Sequence, residues 1–110
     1  MINFEISEHA YERMKERCGW NRKAATKMAK LGYEDGINHR DTVGKLYAYI
    51  ANQAKKHMKK GACFKLYGEF VFCFVRYIDV PVEERKIVLI SVWRIPNELK
   101  KQALGVQRKK

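Results

Sequence analysis

A chain of 110 residues that is 46% hydrophobic and 12% aromatic is sized for one domain and apolar enough to fold around a core. Lys and Arg outnumber Asp and Glu by 23 to 12, and the net charge of +11 points to an anionic partner: nucleic acid, an acidic protein surface or lipid headgroups. The longest apolar run, Phe70 to Val75, is strand length and excludes a bilayer span; Cys18, Cys63 and Cys73 are odd in number, lack Cys-x-x-Cys spacing, and exclude a disulfide framework.

In chain order, INFEI alternates Ile2, Phe4 and Ile6 against Asn3 and Glu5, which predicts a short strand or extended lead-in. Ser7 is an N-cap residue, and a helix over 8–18 follows with Ala10, Tyr11, Met14 and Cys18 as its core stripe. Gly19 breaks it. Asn21 caps a second helix whose inward face is Ala24, Met28 and Leu31, and which Gly32 and Gly36, around YED, bring to an end. The loop INHRD leads into a third helix from Asp41 or Thr42 to about residue 60. Its stripe is Val43, Leu46, Tyr47, Ile50, Ala54 and Met58, and Gly61 closes it. The period then changes to two. CFKLYGEFVFCFVRYIDV predicts two strands around a turn at Tyr67-Gly68-Glu69. Phe70, Phe72 and Phe74 alternate with Val71, Cys73 and Val75, so the second of these strands is apolar on both faces and belongs at the centre of a sheet.

After the loop DVPVEER, KIVLISVWRI is a third strong strand, with Ile87, Leu89, Ser91 and Trp93 on one face and Val88, Ile90, Val92 and Arg94 on the other. Pro96 ends it, and residues 97–110 predict a short helix followed by a basic tail. The order predicts an α+β domain over 1–96, with N-terminal helices packed on one face of a small, mainly antiparallel sheet formed largely by the C-terminal half. The other face would be free for a partner. The opening MINFEISEH lacks the charged start and apolar centre of a signal peptide, so a cytoplasmic location without a membrane association is expected.

Between Thr42 and Gly68 there is no acidic residue, and six lysines stand there: Lys45, Lys55, Lys56, Lys59, Lys60 and Lys65. They interleave with Tyr47, Tyr49, Phe64 and Tyr67. Cations for phosphates beside rings that stack bases suit single-stranded nucleic acid; the plain alternative is a solvated helix face over a core. Tyr47 fits the core, and Tyr49 and Tyr67 fit either description. In both cases, affinity for polyanions should fall steeply with salt.

The stretch SEHAYERMKER spaces His9, Arg13 and Arg17 by four residues, which aligns them on one side of a helix. One imidazole and two guanidiniums could bind a phosphate and move a proton, or form a solvated face neutralised by Glu12 and Glu16. The wider pattern I-S-x-H-A-x-x-R-M-x-x-R, here Ile6-Ser7-Glu8-His9-Ala10-Tyr11-Glu12-Arg13-Met14-Lys15-Glu16-Arg17, resembles the opening of DUF4258-like small proteins of phages, plasmids and bacteria. These look related to the barnase–EndoU–colicin–RelE group of metal-independent RNases, and Ile90-Ser91-Val92-Trp93 is similar to the "T-V" ending of their last strand, with Ser for Thr. The longer helical region between Asn21 and Lys60 departs from the plainest members.

The resemblance implies a metal-independent RNase of a mobile element, toxin-like or a phage effector, with an inhibitory protein as a candidate partner beside nucleic acid. Such chemistry needs a proton acceptor for the 2′-OH, a donor for the departing 5′ oxygen and cations around the phosphorane. His9 would move the proton, Arg13 and Arg17 would clamp the phosphate, and Ser91 would bond a phosphate oxygen or orient His9. Lys55, Lys56, Lys59, Lys60, Lys65, Arg76 and Arg94 are the candidate nucleic-acid-binding residues. Trp93 and Tyr77 could stack a base, though Trp93 equally suits the core. His39 is either a second catalytic histidine on a loop or incidental, and His57, among lysines, would help bind. No metal set or cofactor is implied, because no His or Cys has ligand spacing. The competing expectation is a non-catalytic binding module for RNA, DNA or a ribonucleoprotein, such as a phage-encoded inhibitor of a host defence system. RNA is favoured over DNA by the resemblance alone.

Overall fold

The structure, a computed structural model, describes residues 3–57 and 60–108, without the side chain of His57. The stripe position Met58, the binding candidate Lys59 and the side chain of His57 thus lie outside the described residues. Strand β1 (Asn3–Ile6) leads directly into helix α1 (Glu8–Cys18), because the Ser7 hydroxyl accepts the Ala10 N–H at 3.0 Å and caps the first turn. Helix α2 (Arg22–Asp35) starts the same way, with the Asn21 side chain accepting the Ala24 N–H at 2.8 Å. A two-residue strand β2 (Ile37–Asn38), helix α3 (Gly44–Ala54), the hairpin β3 (Ala62–Tyr67) and β4 (Phe70–Tyr77), strand β5 (Lys86–Arg94) and helix α4 (Asn97–Arg108) complete the chain.

The five strands form one sheet in the order β1-β5-β4-β3-β2; β1 runs parallel to β5 and all other pairs are antiparallel. β4 is central, as its doubly apolar sequence requires. On one face, Phe72 and Phe74 pack with Leu89 and Val92 under Ala10 and Met14 of α1 and Ala25 and Ala29 of α2. On the other, Val71, Cys73 and Trp93 pack under Leu46 and Ile50 of α3 and Leu99 and Ala103 of α4. Each fully buried Leu, Ile, Val or Phe in these layers contributes roughly 1.5–3 kcal/mol relative to exposure.

The fold is the expected α+β domain, with differences in its parts. Helices cover both faces, not one, because the second apolar face of β4 cannot be left in water. α2 continues through Gly32 to Asp35. Gly32 is no terminator: a Cβ there would stand 2.7 Å from the Phe72 ring, so glycine lets the helix sit against that ring. The inward face of α2 is accordingly Ala25, Ala29 and Gly32, with Ala24, Met28 and Leu31 only half-buried. α3 is shorter than expected; residues 39–41 and 55–57 are separate 3-10 turns at either side of it. α4 runs on to Arg108, into the expected basic tail, and closes the second core, and Gln107 near its end exchanges two 2.8 Å hydrogen bonds with the backbone of Gly68 in the β3–β4 turn.

The last difference bears on function. The pairing of β4 with β5 shifts between Cys73↔Ser91 and Phe74↔Leu89, a bulge that takes up Ile90. Ile87 and Leu89 face the α1/α2 layer, whereas Trp93 faces the α3/α4 layer. Strict alternation would have put Leu89, Ser91 and Trp93 on one face.

Candidate functional site

The helix face that carries the sequence motif is assembled but occupied. Arg13 Nε donates to His9 Nε2 at 3.3 Å, and Arg13 Nη1 lies 3.4 Å from Glu16 Oε2. A guanidinium can only donate, so the imidazole lone pair that would take a proton from a substrate already accepts one of its N–H groups. Arg17 Nη1 donates to the Val92 carbonyl at 2.9 Å. β1 pairs with β5 only as far as Ile6↔Leu89, and the Ser7 N–H bonds the Leu89 carbonyl at 3.1 Å, so Val92 lies past the end of β1, where Arg17 takes the place of a pairing strand. Ser91 is 3% exposed and stands opposite Cys73, on the α3/α4 face of the sheet. α1 packs on the other face. His9, Arg13 and Arg17 are therefore neighbours, and the bulge turns Ser91 away from them.

The strand cations are also divided. Arg94 pairs with Phe70 at one end of β4, where its Nε lies 3.2 Å from Glu69 Oε1 and its guanidinium covers the Phe70 ring at 5.2 Å. Glu69 takes Lys100 as well, at 3.3 Å. Arg76 is six residues further along the strand, roughly 20 Å away. Trp93 is core, 7% exposed, and Tyr49, Tyr67 and Phe64 are half-buried against the two cores. Tyr47, expected in the core, is 44% exposed.

Tyr47 marks a second place on the molecule. β2 pairs with β3 only through Ile37↔Leu66 and Asn38↔Lys65, so residues 62–64 of β3 run on past its end. The chain turns there through the 3-10 turn His39–Asp41, which buried Thr42 fastens by giving its N–H (3.0 Å) and hydroxyl (2.6 Å) to the His39 carbonyl. The His39 ring stacks on Tyr47 with centroids 4.2 Å apart, and its Nε2 donates to the Tyr47 carbonyl at 3.1 Å.

His39 thereby becomes the wall between two open grooves. One, of about 400 Å³, is lined by Asn38, Arg40, Cys63, Lys65 and Arg76. The other, of about 540 Å³, is lined by Ala51, Ala54, Lys55, Lys60, Ala62 and Phe64. His39, Ala62 and Phe64 border both. The alternation of β3 explains the division: Cys63 packs toward the α1/α2 core and Phe64 toward the α3/α4 core. One groove is cationic; the other is apolar with two lysines along it.

The backbone fixes Arg76 at this edge. Its N–H donates to the Gly61 carbonyl at 2.9 Å, and Gly61 has φ +84°, with space for no side chain: a Cβ would stand 2.5 Å from the Arg76 carbonyl oxygen. Among the described residues, Arg40, Lys55, Lys65 and Arg76 have no carboxylate within ion-pair distance. Lys65 also lies 5.3 Å over the Tyr33 ring and borders a further groove with Glu34 and Asp41, which temper its charge. Lys60 meets Asp79 at 3.0 Å, but both side chains are more than two-thirds exposed, and such a pair contributes little. Lys56 is exposed and lines neither groove. Burial pushes the Cys63 thiol up, against the opposing pull of Arg76 and Lys65.

The sequence motif on α1 and the cleft at the β3 edge thus share no residue. Lys55, Lys60, Lys65 and Arg76 were legible as cations. Arg40 carried no signal beyond its neighbourhood in INHRD, and only the turn at Thr42 brings it to Arg76. Among the described residues no three His, Cys, Asp or Glu side chains gather as a metal-binding set, and no helix is long and apolar enough to cross a membrane. Comparison with known proteins returned no match to any family model, curated protein or solved structure.

Proposed function

We propose that the chain is a nucleic-acid-binding module that holds phosphates in the cleft at the β3 edge and has no catalytic part in that cleft. One observation supports this above the others: Arg40, Lys65 and Arg76 surround a single cleft, without ion-pair partners among the described residues, at a strand edge that β2 leaves uncovered. Guanidiniums present planar pairs of donors to phosphate oxygens, and lysines add point charge. Lys55 and Lys60 extend the field onto the neighbouring groove. The likeness of Ile6–Arg17 to small proteins of mobile elements adds RNA over DNA as the preferred ligand, and a setting such as inhibition of a host defence complex.

The test is a salt titration of binding to labelled single-stranded RNA. The reading expects log affinity to fall linearly with log salt, with a slope of roughly −0.7 for each phosphate contacted. Affinity that ignores salt, or none at low salt, contradicts it. A metal-independent RNase remains the second reading, favoured by the four-residue spacing that keeps His9, Arg13 and Arg17 neighbours on α1, although the 3.3 Å bond from Arg13 to His9 must first open. In it the His9 ring leaves Arg13 and takes the 2′-OH proton, the 2′ oxygen attacks phosphorus, and the 5′ oxygen departs with a proton from solvent or an imidazolium. Cleavage of RNA in EDTA by the wild type and not by His9→Ala would establish it; intact RNA with both would remove it.

A further inference from the structure

From the pairing of the two grooves we infer that the ligand is single-stranded, with one unstacked base seated in the groove of Ala51, Ala54, Ala62 and Phe64 while its phosphate lies against Arg40 and Arg76. This rests on the proposed phosphate site and specifies what that site binds. The grooves adjoin across His39, Ala62 and Phe64, and they differ in chemistry. A phosphate needs the cationic one. The other is lined by three alanines and the Phe64 ring, and its volume is within the usual range for small-molecule sites. A nucleotide joins a flat apolar base to an anionic phosphate, and so matches the two grooves together in a way that a simple polyanion does not.

His39 is positioned for the junction. The 3-10 turn and the two bonds from Thr42 fix the His39 backbone, and the stack on Tyr47 and the Nε2 bond fix its ring, before any ligand arrives, so little ordering is left to be done on binding. Lys55 and Lys60 border the apolar groove and supply charge for the next phosphate. A duplex cannot use the apolar groove, because its bases are stacked and paired; extruding one costs a few kcal/mol. An acidic peptide would use the cations and leave the apolar groove without a flat occupant.

The experiment compares four labelled probes of equal length by fluorescence anisotropy at one salt concentration: oligouridylate, an abasic strand of the same charge, an RNA duplex and poly-glutamate. The inference expects oligouridylate to bind about tenfold more tightly than the abasic strand, within the range that one stacked base supplies. It also expects the duplex and poly-glutamate to be weaker than oligouridylate. Ala54→Leu, which fills the groove from a half-buried helix position, should bring oligouridylate down to the abasic level and leave the abasic strand unchanged. Equal affinity for oligouridylate and the abasic strand would overturn the base groove and leave the phosphate site standing. Failure of every nucleic-acid probe at low salt would overturn both. Poly-glutamate bound as tightly as oligouridylate would overturn both in favour of an acidic protein partner.

Discussion

The α1 face and the β3 edge each bring a histidine beside arginines, yet their cations do different work. On α1, Arg13 bonds to His9 and Glu16, and Arg17 bonds to the Val92 carbonyl beyond the end of β1. Those charges are used to complete the fold. At the β3 edge, Arg40 and Arg76 are placed by backbone, through the His39 turn and through Gly61, and have no carboxylate within ion-pair distance among the described residues. A motif that stands out in sequence therefore marks a helix–sheet junction, and the less conspicuous INHRDT marks the cleft. What separates a site from a structural cation is where the donor N–H groups end, not how many basic residues are aligned.

Gly61→Ala should cost about 2–4 kcal/mol of stability, from the positive φ together with the collision against the Arg76 carbonyl. Denaturant unfolding would read this as a lowered midpoint, and an unchanged midpoint would mean that Arg76 is not held by Gly61. Arg17→Ala should cost about 1 kcal/mol through the lost bond to Val92, and should leave polyanion affinity unchanged. A large fall in RNA affinity with no loss of stability would return Arg17 to the phosphate.

The smallest effect concerns Cys63. Burial holds its thiol protonated beyond the usual thiol range, so alkylation by iodoacetamide should be slow near neutral pH and accelerate as pH rises through the raised value. The folded state keeps this proton longer than the unfolded chain. The associated stability is thus fully present below the unfolded thiol pKa and is lost as pH rises through the folded one. Cys18 adds to the same trend, since burial raises it too. RNA in the cleft should slow alkylation of Cys63, read by peptide mass spectrometry; equal rates with and without RNA would show that the cleft stays open.

Much of the fold was legible because local rules and burial agree. Ser7 and Asn21 cap the helices they were expected to cap, and the alternating aromatics of β4 put it at the centre of the sheet. The expectations failed where a single tertiary contact outweighed the pattern. Gly32 looks like a helix end, and only the Phe72 ring against it shows why a glycine belongs inside α2. Ser91 looks aligned with Leu89, and only the bulge at Ile90 parts them. Tyr47 sits on the expected stripe of α3, yet α3 begins at Gly44 and leaves it at the rim, stacked on His39. The cleft was the least legible part, since it joins residues 38–40, 62–65 and 76, which no periodicity links.

The most direct test sets the two faces side by side in one salt titration with single-stranded RNA: wild type, the double variant Arg40→Ala and Arg76→Ala, and the double variant His9→Ala and Arg13→Ala. The account predicts that the first pair lowers affinity more than tenfold at low salt and flattens the slope by roughly 1.4, two contacts at about 0.7 each. It predicts that the second pair leaves both within about twofold of the wild type, as expected of exposed, internally bonded charges. The opposite ranking, with binding lost on α1 and kept at the β3 edge, would contradict it.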